Sequence, residues 1–283
     1  LLTQESHIRH PKEADETVKI RGKITFEHVD FSFPDDQDSP ILKDIDLDVP
    51  AGSKLGILGE TGSGKSTLVS LIARFYDPTR GRVLIDGKDV REWPLETVRN
   101  QVSIVAQETF LFSDTIAGNI SFGLPQTKEN CKELDNTIRT MATIAAADDF
   151  IMDMPEGYET VVGERGVGLS GGQKQRLSLA RALANNPAIL IMDDTTSAVD
   201  METEEHIQQE LKKLDGTRTI ITIAHRISSV KDADMIVVLD HGKIIERGTH
   251  AQLVAAHGRY WEIYRKQLGF KTGRSAGFET KGE

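Results

Sequence analysis

Along residues 24–33, apolar side chains at Ile24, Phe26, Val29, Phe31 and Phe33 punctuate polar neighbours. That near-alternation predicts half-buried antiparallel strand structure, because successive strand side chains point to opposite faces. Residues 41–49 read as a further edge segment, ended by Pro50-Ala51-Gly52. The texture then changes. Short, nearly continuous apolar runs occupy residues 55–58, 102–106, 188–192 and 219–224. Runs of that length suit strands buried on both faces of a largely parallel sheet. Each is followed at once by a residue that carries chemistry: Gly59, Gln107, Asp193 or His225. Open α/β sheets bind ligands at the carboxyl ends of their strands, so four strands aim reactive groups at one edge.

Between residues 115 and 164 the pattern turns helical, with an apolar stretch at 141–147, then Phe150-Ile151 and a Pro155-Glu156-Gly157 break. An inserted helical subdomain is expected there. Helices at 251–256 and 260–267 close the fold. Residues 1–18 are polar, mixed in charge and without period, which reads as a linker or leading arm. Residues 269–283, rich in Gly and Lys, read as a flexible tail. The expected organisation is one domain over 19–268, with its helical subdomain at about 115–185, between linker and tail.

Composition narrows the function. At 283 residues the chain can bury a sizeable core, and 38% hydrophobic with 28% charged residues is ordinary for a soluble domain. The net charge of −10 speaks against a nucleic-acid binder, which needs a basic footprint. A single cysteine, Cys131, excludes an internal disulfide and a multi-cysteine metal site, and reads as a small helix-face residue. No apolar run approaches the ~20 residues that span a bilayer, and no signal peptide is visible. The chain begins with Leu1 rather than methionine, which points to a piece of something longer.

Gly59-Glu60-Thr61-Gly62-Ser63-Gly64-Lys65-Ser66 fits the phosphate-loop pattern G-x-x-x-x-G-K-[ST], the Walker A motif, and Thr67 follows it. The context is right: an apolar strand precedes it, and Leu68, Leu71, Ile72 and Phe75 follow at helical spacing. Glycines let backbone N–H groups turn inward on phosphates, and the helix N-terminus adds a favourable field. Lys65 then neutralises the β- and γ-phosphates while Ser66 ligates Mg2+. The expected fold class is α/β: a P-loop NTPase core with a mostly parallel sheet, an antiparallel β subdomain and an inserted α-helical subdomain.

Leu169-Ser170-Gly171-Gly172-Gln173 supplies a second element. Ser170-x-x-Gln173 has capping-box spacing and opens a helix with Leu177, Ala180 and Leu183 on its apolar face, stopped at Asn185-Asn186-Pro187. Followed by the 188–192 run and Asp193, residues 169–176 (LSGGQKQR) resemble the signature of ATP-binding cassette (ABC) proteins without departure. The resemblance extends over residues 24–267. It implies ATP and Mg2+ as cofactors, and two domains closing around nucleotide. It also implies roles. Phe33 falls at the adenine-stacking aromatic, with a core strand residue as the alternative. Gln107 matches the glutamine that touches Mg2+ and senses the membrane part. Ser197-Ala198-Val199-Asp200 matches the D-loop, and His225 the switch histidine at the γ-phosphate. Ser170, Gly171, Gly172, Gln173 and Asp200 would contact the partner's ATP. Gly163-Glu164-Arg165-Gly166 resembles the X-loop of exporters, with a polar turn as the alternative.

One position departs from the family pattern. Asp193 sits where an aspartate coordinates Mg2+, but the next residue, normally the glutamate that positions the attacking water, is Asp194. It is shorter by one methylene, roughly 1.5 Å of reach. A misplacement of ~1 Å can cost on the order of 10²-fold in rate. Good binding and weak hydrolysis at this site are expected, with an intact signature serving a partner's nucleotide. That asymmetry is like the weaker subunit of a heterodimeric half-transporter, attached to a transmembrane domain at the cytoplasmic face of a membrane. An engineered Glu-to-Asp change in a homodimer is the competing account. A soluble ABC ATPase of repair or translation and a nucleotide-gated regulatory module are the alternatives in function.

Overall fold

Two sheets of different character divide the apolar pattern between them. The computed structural model describes residues 19–124, 131–163 and 168–268. The alternating segment is one strand, β1 (Ile24–Phe31), whose Ile24, Phe26, Val29 and Phe31 are all buried. It runs antiparallel between β2 (Leu42–Val49), the expected edge, and β4 (Arg80–Ile85). With β5 (Lys88–Asp89) they form a sheet in the order β2-β1-β4-β5.

The four apolar runs become β3 (Lys54–Gly59), β6 (Val102–Val105), β9 (Ile189–Asp193) and β10 (Thr219–Ile223), parallel and side by side. β11 (Met235–Asp240) joins parallel to β3, and β12 (Lys243–Gly248) closes that side antiparallel, giving the order β12-β11-β3-β10-β9-β6. Residues 189–192 of β9 are buried throughout, as burial on both faces requires. β6 is instead an edge strand, with Ser103 and Ile104 only half-buried.

α1 (Lys65–Ile72) leaves the carboxyl end of β3, and α2 (Leu95–Gln101) leads into β6. The helical spacing expected through Phe75 does not hold. α1 ends at Ile72, Arg74 turns left-handed at φ 52, and Phe75 lies 49% exposed beyond it. The inserted region leaves and returns on a ribbon of β7 (Asp114–Thr115) with β8 (Val161–Val162). Between them lie α3 (Ile116–Ile120), α4 (Cys131–Ile144) and α5 (Asp148–Met152). α6 (Gly171–Ala184) packs on α3 and α4 with Leu177, Ala180 and Leu183 fully buried, the face its sequence predicts. α7 (Met201–Lys212) follows β9, and α8 (His250–Ala256) and α9 (Arg259–Gln267) enclose a last cluster around buried Tyr260. The proposed linker, the tail, and Glu164, Arg165 and Gly166 of the X-loop-like motif lie outside the described residues. No helix among the described residues is long and apolar enough to cross a membrane.

Candidate functional site

Strand register brings the chemistry to one edge. Ile223 of β10 pairs with Ile57 on one side and Asp193 on the other, and Val105 of β6 pairs with Met192. Gly59, Gln107, Asp193, Asp194 and His225 therefore follow at adjacent carboxyl ends, as the four runs predict.

The glycine loop between β3 and α1 is a cradle with its donors turned inward. Gly64 caps α1 at φ 103, a left-handed conformation that glycine adopts without penalty, and no side chain caps the helix. The first N–H groups of α1, from Lys65, Ser66 and Thr67, have no intrahelical acceptor by geometry. Lys65 is 6% exposed, and its ammonium donates to the carbonyls of Gly59 (2.9 Å) and Glu60 (2.8 Å). Burial pushes its pKa below the usual lysine value, while the carboxylates of Asp193 and Asp194 pull it back up. Ser63 is buried too, and its Oγ has no hydrogen-bond partner among the described residues. A buried ammonium, an unpartnered hydroxyl and an uncapped helix start fit a polyphosphate. Hydroxyl, amide and carboxylate oxygens from exposed Ser66, exposed Gln107 and half-buried Asp193 are the hard donors a Mg2+ ion takes. Glu60, Thr61 and Gly62 are exposed at the mouth of the cradle, and the Glu60 carboxylate pairs with Arg259 at the start of α9.

Asp194 sits in the left-handed region at φ 49, and its N–H donates to the Ile223 carbonyl at 2.9 Å. His225 is exposed, and its carbonyl accepts from Gln267 Nε2 at 2.7 Å. Phe33 lies two residues past the end of β1, half-buried. It meets Phe31 edge-on at 5.1 Å and Tyr76 edge-on at 5.3 Å. Tyr76, 37% exposed, belongs to this aromatic cluster and had no sequence signal beyond its ring.

The signature is elsewhere. Ser170 is exposed and closes the expected capping box: its Oγ accepts from the Gln173 N–H at 3.2 Å, and Gln173 Oε1 accepts from the Ser170 N–H at 2.8 Å. A Cβ on Gly172 would stand 2.8 Å from the Ala198 carbonyl oxygen, so only glycine lets the start of α6 lie against the D-loop. Asp200 caps α7, accepting from the Thr203 N–H (2.9 Å) and hydroxyl (2.8 Å), and these bonds hold its carboxyl below the usual range. Among the described residues, no hydrogen bond or ion pair joins 170–173 to 59–67.

Sequence reasoning missed the residues that brace the site. Gln175, buried within the signature, and Glu204, buried on α7, bond to the loops after β9 and β10. The signal for Gln175 was a polar residue on the same buried helix stripe as Leu179 and Ala182.

A family model described as ABC transporter matches residues 42–197, more than half of the chain. Multidrug export ATP-binding/permease proteins of Staphylococcus aureus strains bovine RF122 / ET3-1 and NCTC 8325 / PS 47 are each 45% identical over 267 residues. Those alignments take in 94% of this chain and 45% of each relative, so the chain spans under half their length. A solved bacterial Atm1-family ABC exporter with ATP bound superposes with a TM-score of 0.86 at 41% identity, over 92% of this chain and 45% of that one. Fold and sequence agree: the chain belongs to the ABC transporter family.

Proposed function

We propose that residues 19–268 are the ATP-binding and ATP-hydrolysing domain of an exporter, driving a substrate across a membrane by nucleotide-driven dimerisation. The observation that carries this reading is one chain holding a buried, glycine-cradled Lys65 beside two carboxylates and, apart from it, an exposed serine-capped helix tip. The cradle of residues 59–67 binds phosphate, and the tip of 170–173, with Asp200, serves a partner's nucleotide. Ser66, Gln107 and Asp193 hold Mg2+, which when bound neutralises charge on the phosphate oxygens. Asp194 orients the attacking water, His225 contacts the γ-phosphate, and Phe33 stacks on adenine with the face its edge contacts leave free.

Similarity to export proteins and to an ATP-bound exporter supports a transmembrane partner and a place at the cytoplasmic face of the membrane. An apolar patch supports the same docking. Phe110 and Phe122 are 54% and 53% exposed beside Phe112, which stacks on Phe122 at 4.2 Å. Contiguous exposed aromatics mark interaction surfaces. The short Asp194 beside an intact signature supports a heterodimer in which this chain's own site turns over slowly.

The test is binding first, assembly second. Mg·ATP should bind the chain saturably, and Lys65→Ala should abolish it; tight binding retained in the variant would overturn the cradle. With a non-hydrolysable ATP analogue, light scattering should show a closed dimer only when a homologous domain carrying the glutamate is present. A fast-hydrolysing dimer of this chain alone would replace the heterodimer with a homodimer.

A further inference from the structure

Asp194 is held in the left-handed region at φ 49, which non-glycine residues populate sparsely. Its surroundings converge on its carbonyl oxygen. Ser197 donates its Oγ–H at 2.9 Å and its N–H at 3.4 Å, and Gln175 Nε2 donates at 3.4 Å. The same Gln175 amide donates to Ser197 Oγ at 3.3 Å and accepts the Ala198 N–H on Oε1 at 3.2 Å. Gln175 is 5% exposed and belongs to α6, not to the loop it holds. One buried amide thus spans residues 194–198, bonding Asp194, Ser197 and Ala198. The brace reaches further: Ser197 O accepts from Arg226 Nη2 at 3.4 Å, and Arg226 follows His225 and pairs with buried Glu204 at 3.5 Å.

Gln175 also lies five residues from Ser170 on the same helix, about 7.5 Å along its axis. A helix segment that short moves as a rod. We infer that Gln175 is a positioning residue that fixes the backbone of Asp194, and so the aim of its carboxylate, to the position of the signature tip. Engagement of that tip by a partner's nucleotide then resets this chain's own hydrolytic acid through one side chain. The inference rests on the ATPase reading above and adds to it the route by which one site adjusts the other.

Two replacements separate positioning from packing. Gln175→Leu keeps the volume and removes all bonds; Gln175→Glu keeps an acceptor for the Ala198 N–H and removes the donor to Asp194. In the dimer assembled with a homologous partner whose own hydrolytic glutamate is removed, both should lower kcat for Mg·ATP by about tenfold or more while ATP affinity stays within about twofold. A space-filling role would spare at least the Leu variant. The rate gain from Asp194→Glu should also shrink severalfold in the Gln175→Leu background, since the two changes act on one unit. Should Gln175→Leu fail to fold, Ser197→Ala removes the bridging hydroxyl at an exposed position and should lower kcat with affinity unchanged. Parental kcat in these variants, or an undiminished gain from Asp194→Glu, overturns the inference and leaves the ATPase reading standing. Absence of Mg·ATP binding to the parent, or an Asp194→Ala variant as active as the parent, overturns both.

Discussion

Two helix starts in this molecule solve the same problem in opposite ways. α1 begins at Gly64 with no side-chain cap, over a buried lysine. α6 begins at Ser170 with a complete capping box and lies exposed. Both must satisfy N–H groups that have no partner inside the helix. The first leaves them open beside the buried Lys65 ammonium, an arrangement that suits an anion of phosphate type. The second satisfies two of them, the Ser170 and Gln173 N–H groups, through its capping box. Even so, Ser170 Oγ only accepts in that box, and a hydroxyl also has a proton to donate. That proton is available outward. The contrast is between an uncapped, receptor-like start beside a buried ammonium and a capped, exposed tip.

Lys65→Ala breaks the receptor side most strongly. Loss of a charge-assisted contact to phosphate is expected to weaken Mg·ATP affinity by at least about a hundredfold. The capping box lies on another helix, so thermal stability of the α6 region by hydrogen exchange should not change. Coupled loss of protection at α6 would mean that the two helix starts are not independent.

Asp194→Glu comes next, and its two effects have opposite signs. Lengthening the side chain should raise hydrolysis at this chain's own site in the assembled dimer by roughly tenfold to a hundredfold. Aspartate, however, is among the residues enriched in left-handed backbone, and Asp194 has φ 49. Glutamate lacks that tolerance, so the variant should lose up to about 1 kcal/mol of stability. A rise in rate without a fall in melting temperature would break the link between the strained backbone and the choice of aspartate.

Much of this was legible in the chain because the signals were local. The runs at 55–58, 188–192 and 219–224 read as buried parallel strands because no alternation interrupts them, and residues 170–173 announce a helix start by spacing alone. What was not legible depends on residues far apart in sequence. β4 pairs with β1 across fifty residues or more, and β11, as apolar as the predicted strands, was not assigned because no chemical motif follows it. Phe75 fits a helical period, yet the turn at Arg74 ends the helix before it. Gln175 and Glu204 show the limit most clearly. Their partners lie eight to twenty-five residues away in sequence, in loops whose position the tertiary fold sets, and periodicity cannot report where a buried amide or carboxylate points.

Ser170 sharpens the tip side. Ser170→Ala removes the cap and should cost about 1 kcal/mol, read as lost protection over the first turn of α6. Ser170→Arg should leave ATP affinity of the separate chain within about twofold, because no hydrogen bond or ion pair among the described residues joins 170–173 to the cradle, while hindering dimer closure. Equal loss of both functions would place the tip inside this chain's own site.

The smallest effect is in pH, and it separates the two regions by sign. Burial holds the Lys65 pKa below its ordinary value of 10.5. Phosphate next to the ammonium favours its charged form, so above the free-state pKa binding must take up a proton. Affinity for Mg·ATP should therefore fall with rising pH on the alkaline limb, by at most about tenfold per unit. For folding of the free chain the sign reverses, since the unfolded lysine binds the proton more tightly: stability rises with pH between the folded pKa and 10.5. Near the tip, the Asp200 pKa is depressed below its ordinary value of 3.8 by its bonds to Thr203. Its contribution is complete above that value and is lost as pH falls through the folded pKa, so the D-loop cap responds only on the acid limb. Lys65→Arg decides the assignment, because a guanidinium stays charged across the whole alkaline range. If that variant still binds ATP, its affinity should be flat where the parent's declines; a decline of the same size would move the alkaline dependence away from the cradle.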